Sequence, residues 1–248
     1  MGYREHAPPA ALVPWLECIW ERQADDAAAQ RVLPDGCIDI VWTQGARTQL
    51  VGANTSAFVV ALQPGARVAG ARLRPGAAVS LLRIVPEAVR DARLPIEEVW
   101  GSDGARLAAT LDEHADPVAG LRAALLARAI AAERPDPLVG EVVTRLRRPD
   151  VTVALLADEL AISERQLRRR VTAAVGYGPK LLARVLRLGR ALTAARAGDE
   201  LARVAYDAGY ADQAHFANDC RALAGASPSV VIARSPFSAS NPSPARPS

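Results

Sequence analysis

Three arginines, Arg165, Arg168 and Arg169, stand at i, i+3 and i+4 in a stretch whose apolar residues Leu167, Val171, Ala174 and Val175 recur at helical spacing. They therefore share one exposed helical face and put three guanidiniums where a polyanion can reach them. About fifty residues on, Phe216, Cys220 and Leu223 form the buried side of another helix, whose outward side carries Gln213, Ala214, Ala217 and Asn218. Each of these helices follows a shorter one across a break. Val153, Leu156 and Leu160 lead to Ala161-Ile162-Ser163, and Leu201, Val204, Ala205 and Ala208 lead to Gly209-Tyr210. Ser163 and Asp212 suit the caps that start the two outward-reading helices.

Aligning Ala157 with Ala205 and Leu167 with Phe216 gives both units the same order of parts, with one extra residue in the second turn. A repeat of this kind is more specific than a single helix-turn-helix pattern. Between the units, Gly176 fits a helix end and Gly178-Pro179 a helix start that runs to about Ala197. Along that linking helix Lys180, Arg184 and Arg187 fall on one side, expected as a solvated face with phosphate contact as the alternative.

The stretches LLADELAIS (155–163), VAYDAGYADQAHF (204–216) and LAGASP (223–228) resemble the DNA-binding domain of the AraC/XylS transcription regulators. The resemblance implies a sequence-specific, effector-responsive regulator that lays two recognition helices into successive major grooves, which repeat every ~34 Å. Carried over by position, it makes Arg165, Arg168 and Arg169 the contacts of the first reader, and Gln213, Ala214, Ala217 and Asn218 those of the second. Lys180 joins them on the linking helix. Arginine can hold guanine O6 and N7 with two bonds, glutamine can pair with adenine, and alanine can only touch a thymine methyl. Two departures stand out: Asn218 replaces a usually basic residue and Cys220 a usually buried phenylalanine. The second reader is thus expected to anchor phosphates less strongly.

The charge is split to match. Residues 1–140 hold 14 Arg against 17 Asp+Glu, whereas 141–234 hold 15 Lys+Arg against 10 Asp+Glu. The positive field lies on the reading module, as binding to a polyanion requires.

Ahead of it, short strand-like runs predict strands at Cys37–Trp42, Gln49–Val51, Phe58–Leu62 and Arg67–Arg74, in a small β-barrel or sandwich. Ile38, Ile40 and Trp42 share one face. VLPDGCID (32–39) and RLRPGAA (72–78) resemble an N-terminal domain of unknown function that precedes this DNA-binding module in bacterial regulators. After Pro75-Gly76 the chain turns helical, with short helices at 77–84 and 86–93, an ordered connection over 94–100, and longer helices at 102–113 and 116–133. Leu121, Leu125, Leu126 and Ile130 form an apolar stripe that would pack on the barrel or pair with a second copy.

The expected class is α+β, with hydrophobic residues sufficient for two modest cores. The first domain spans 1–134 and combines sensing or dimerisation with a helical extension. Arg134-Pro135-Asp136-Pro137 begins an all-α double helix-turn-helix domain over 135–234, and a Ser- and Pro-rich disordered tail occupies 235–248. Candidate effector residues are Trp20, Asp39, Arg72 and Arg74. The two arginines are read either as a pair aimed at an anionic ligand or as ordinary outward side chains.

Neither the three cysteines nor His6, His114 and His215 fall at ligand spacing, so no metal and no cofactor is expected. No apolar run approaches a membrane span and no signal segment opens the chain, which points to the cytoplasm. No catalytic residue is assigned. A nucleic-acid enzyme using Cys37 is the weaker alternative, because Asp35 and Asp39 would raise its thiol pKa. A non-specific DNA-coating protein is the other. Double-stranded DNA is the expected partner, and the resemblance leaves RNA polymerase, a small-molecule effector and a second copy of the chain open.

Overall fold

The computed structural model describes residues 2–24 and 28–233. The tail expected over 235–248 lies outside the described residues. Among the described residues there are eight strands: β1 (Arg4–His6), β2 (Leu16–Gln23), β3 (Ala28–Val32), β4 (Ile38–Thr43), β5 (Gln49–Val51), β6 (Phe58–Leu62), β7 (Arg67–Leu73) and β8 (Arg93–Pro95). Six of them form one antiparallel sheet in the order β1-β2-β7-β4-β5-β8, and β3 pairs with β6 as a separate ribbon. Strand alternation decides what each face does. Ile19, Ala71, Ile40 and Leu50 lie opposite one another across four strands and are fully buried.

Helices cover that face. They are α1 (Ala78–Leu82), α2 (Ile96–Glu113) and α3 (Pro117–Ala129). Trp42 Nε1 donates to Asp112 on α2 at 2.8 Å. The stretch 94–100, expected as a connection, instead holds β8 and the first turn of α2. Gly101, at φ 57°, bends the helix there, and burial of Ile96 keeps the turn before it helical. The stripe on α3 is split as well: Leu121 and Leu125 pack fully buried against the β2–β7 side, while Ile130 is 88% exposed. Of the stripe expected either to pack on the barrel or to pair with a second copy, Leu121 and Leu125 are thus spent on the sheet.

The remaining helices are α4 (Pro137–Leu146), α5 (Val153–Glu159), α6 (Glu164–Val175), α7 (Pro179–Arg196), α8 (Leu201–Asp207), α9 (Gln213–Asp219) and α10 (Pro228–Ala233). Two modest cores were expected; one apolar cluster runs from Leu12 to Leu186 and joins sheet, α4 and the first reading unit, while a second underlies the second reading unit from Leu188 to Val231. Glycines permit the approach. A Cβ on Gly36 would stand 3.0 Å from Leu182 of α7, and one on Gly176 would stand 2.9 Å from the Pro86 carbonyl. Among the described residues no helix is long and apolar enough to cross a membrane.

Candidate nucleic-acid interface and a second cavity

The two reading units share a hydrogen-bond frame. In the first, Leu160 N–H donates to Leu156, Ala161 to Asp158 and Ile162 to Ala157. In the second, Ala208 donates to Val204, Gly209 to Tyr206 and Tyr210 to Ala205, all between 2.9 and 3.0 Å. Ala161 and Gly209 occupy the same left-handed turn position, at φ 52° and 82°. Ser163 then caps α6 in a capping box with Gln166, and Asp212 caps α9 by accepting from His215 N–H at 2.7 Å. Locally, each reader starts where a short polar side chain satisfies the first free amides.

On α6, Leu167 and Val171 are fully buried while Arg165, Arg168 and Arg169 are exposed together. Glu87, on the Pro86–Val89 turn of the first domain, lines a shallow groove with these three arginines, and Arg90 donates to the Gly176 carbonyl at 3.2 Å. On α9, Gln213, Ala214 and Asn218 are exposed and Ala217 is partly so. Asn218 accepts from Arg221 at 2.7 Å. Phe216 and Cys220 are buried beneath, beside Tyr210.

The linking helix departs from expectation. Lys180 is exposed, but Arg184 and Arg187 converge on Asp219, which is 4% exposed on the inner side of α9. Arg184 Nη2 lies 2.8 Å and Arg187 Nη2 3.0 Å from its two carboxylate oxygens. Burial pushes the Asp219 pKa up, but the two guanidiniums outweigh it and hold the group below the ordinary carboxylate value. Arg187 also stacks 4.2 Å over the Tyr210 ring. These two arginines brace the second reader, Arg184 while still 44% exposed. Arg190 ties α4 to the second unit, donating to Leu146 O and to Ala208 O at 3.1 Å each.

The effector candidates separate. Trp20 and Asp39 line a cavity of about 100 Å³ between the sheet and the β3–β6 ribbon. A Cβ on Gly70 would stand 2.4 Å from the Trp20 ring, so glycine there makes room for the indole. Arg72 is 1% exposed behind the cavity and bonds Asp39 at 3.2 and 3.3 Å, with Asp35 at 3.5 Å. Burial pushes the Asp39 carboxyl up to about 6 against the pull of that guanidinium. Arg74 is elsewhere: β7 ends at Leu73, and Arg74 bonds Glu17 and the Val13 carbonyl at 2.9 Å. Of the two readings of this pair, a shared anion pocket does not form, and ordinary outward side chains fit Arg74 but not the buried Arg72.

A residue that the sequence reading missed, Arg93, lines the cavity at its edge, 3.6 Å over the Phe58 ring. Its three-residue strand is too short to show alternation. Cys37 is buried, and burial first, then Asp35, pushes its thiol well above the ordinary value. Among the described residues no group of His, Cys, Asp and Glu could hold a metal ion.

Family comparison matches residues 4–95 to a domain of unknown function and 156–234 to a helix-turn-helix domain. No curated protein matches the chain. Among solved structures, the chain is similar to the C-terminal domain of AraT, a response regulator from Geobacillus stearothermophilus, at 20% identity and TM-score 0.38, covering 43% of this chain and 93% of that one. It is also similar to ToxT from Vibrio cholerae at 11% identity and TM-score 0.45, covering 94% of this chain and 98% of that one. Unsaturated fatty acid-bound ToxT from Vibrio cholerae is similar at 12% identity and TM-score 0.42, covering 86% and 93%.

Proposed function

We propose that this chain, whose residues 156–234 match a helix-turn-helix domain behind a domain of unknown function, is a DNA-binding transcription regulator of the AraC type in which α6 and α9 enter successive major grooves on one face of a duplex. The observation that carries this reading is the shared frame of the two units, which flank α7, whose Arg190 bonds Leu146 of α4 and Ala208 of the second unit. A fixed interval suits grooves that recur every ~34 Å. One chain supplies both readers, so a single copy covers two half-sites.

Arg165, Arg168 and Arg169 are the base-edge and phosphate contacts of the first reader. Gln213, Ala214, Ala217 and Asn218 face the second half-site, and Lys180 is left for a phosphate because, unlike Arg184 and Arg187, it has no role in the brace. Small-molecule response fits the cavity in the first domain, since that domain touches both readers.

Selection of bound sequences from a random DNA pool tests the proposal. The expected result is a bipartite motif with half-site centres about 10–10.5 base pairs apart. A single uninterrupted block, or no enrichment over random DNA at defined salt, overturns it.

A further inference from the structure

The β3–β6 ribbon has two working faces. Val32 pairs with Phe58 and Gln30 with Val60, and these four side chains line the cavity together with Leu62. Residues in alternate register turn the other way. Arg31 donates to the Ala224 carbonyl at 2.8 Å, Ala57 N–H donates to the Leu223 carbonyl at 2.7 Å, and Leu33 is buried among Val185, Leu188 and Phe216. Leu223 and Ala224 belong to the π-turn Cys220–Ala224 that continues α9, so the same two strands form the roof of a cavity and the seat of a reader. Gly225, at φ 68°, leaves room for the Arg31 guanidinium, which a Cβ there would approach to 3.0 Å.

The cavity's contents select a ligand chemistry. Its walls are mostly apolar, from Trp20, Val41, Phe58, Val60 and Val68. The facing row of the sheet reads Arg72, Asp39, Val51, Arg93 across four strands. Arg72 is held by Asp39, Asp35 and Glu5, whereas Arg93 forms no ion pair with the described residues and rests on the Phe58 ring. Gln30 is 7% exposed, and its Oε1 has no partner among the described residues. Amide groups can turn to offer either end to a ligand. The volume of about 100 Å³ is near the scale at which an apolar cavity of about 150 Å³ takes up benzene.

We propose that this cavity binds a small organic monoanion with an apolar body of about one ring, its carboxylate on Arg93 and its polar edge on Gln30, and that the ribbon passes occupancy to the second reader alone. The second half rests on the reading of α9 as a DNA-contacting helix; the first half does not.

The test uses the full chain. Monocarboxylates from propionate to benzoate, with the matching alcohols and amines, are titrated by calorimetry and thermal shift. The acids are expected to bind saturably, and the alcohols and amines far less. Arg93→Gln should weaken the acids about 10- to 100-fold, the scale of a lost charge-assisted bond, without changing the fold, and Arg93→Lys should keep part of the affinity. Footprinting on the selected DNA with and without the acid should then change protection in the α9 half-site and leave the α6 half-site unaltered. Arg31→Ala should remove that change while acid binding persists.

Failure of every acid, or tighter binding of the amines, overturns the ligand assignment whatever the DNA does. Acid binding with unchanged footprints overturns the coupling and leaves DNA reading intact. Acid binding by a chain that selects no DNA would refute the functional reading and keep the cavity.

Discussion

Arg187 Nη2 lies 3.0 Å from Asp219 Oδ2, joining the middle of the linking helix to the hidden side of the second reader. With Arg184 on the other oxygen, one carboxylate sets the angle at which α9 leaves α7. Removing it strands a half-buried guanidinium. Asp219→Ala is expected to cost about 2 kcal/mol, below the range of 3–5 for fully buried pairs because Arg184 is 44% exposed. Calorimetric unfolding measures the loss, and footprinting should show the α9 half-site weakened more than the α6 half-site. The sign with pH follows from a carboxyl held below its ordinary value when folded: its contribution is complete above the unfolded pKa and fades as pH falls through the lower folded one. Acid unfolding of Asp219→Asn should lack this component.

The readers differ in charge. Arg168→Ala should lose about 1–3 kcal/mol of discrimination, relaxing the motif at one position of the first half-site. If Arg168 instead meets a phosphate, binding should weaken uniformly and the salt slope should fall by about 1. Asn218→Ala should cost less than either outcome, since Asn218 carries no charge and already accepts from Arg221. Equal losses at the two positions, in titrations at fixed salt, would refute the asymmetry.

What could be read in advance follows the range of the forces. Caps, turns and the 3.6-residue period are local, so Ser163, Gly176, Asp212 and the doubled unit were visible as residue patterns. Strand alternation likewise placed Ile38, Ile40 and Trp42 on one face. The Asp219 brace was not visible, because Asp219 lies 32 residues from Arg187 and an acid on a buried helix face looks like any surface acid. Arg72 and Arg74 share a period of two, yet β7 ends between them and sends them to different partners. The joining of the sheet's core to that of the first reading unit depends on glycines that let backbones touch, and a bare approach leaves no periodic trace.

Gly209 and Gly198 separate two costs of replacing a glycine. Both have positive φ, 82° and 99°, but a Cβ on Gly209 would lie 2.8 Å from the Pro149 carbonyl, whereas nothing lies within 4 Å of one on Gly198. Gly198→Ala should therefore cost about 1–2 kcal/mol, the strain of the left-handed backbone alone. Gly209→Ala should cost at least about 1 kcal/mol more, because a backbone carbonyl has to move. Denaturant midpoints at unchanged slope measure both. Equal values would mean that the turn of the second unit is not pressed against Pro149.

Tyr177 sits where the first domain meets the linking helix, 3% exposed, and its hydroxyl has no partner among the described residues. The nearby Gly36 would bring a Cβ within 3.6 Å of that oxygen. A buried hydroxyl that makes no bond has given up its water for nothing, at a cost of about 1–3 kcal/mol. Tyr177→Phe keeps the ring and deletes only that oxygen, so stability should hold or rise by about 1 kcal/mol. Gly36→Ala, in the same contact, should instead destabilise, since φ 85° strains the residue and its Cβ would meet Leu182 at 3.0 Å. Thermal unfolding of the two variants side by side gives opposite signs if the contact is apolar. A loss of more than about 1 kcal/mol in Tyr177→Phe would mean that a water-held network, not packing alone, joins the domains there.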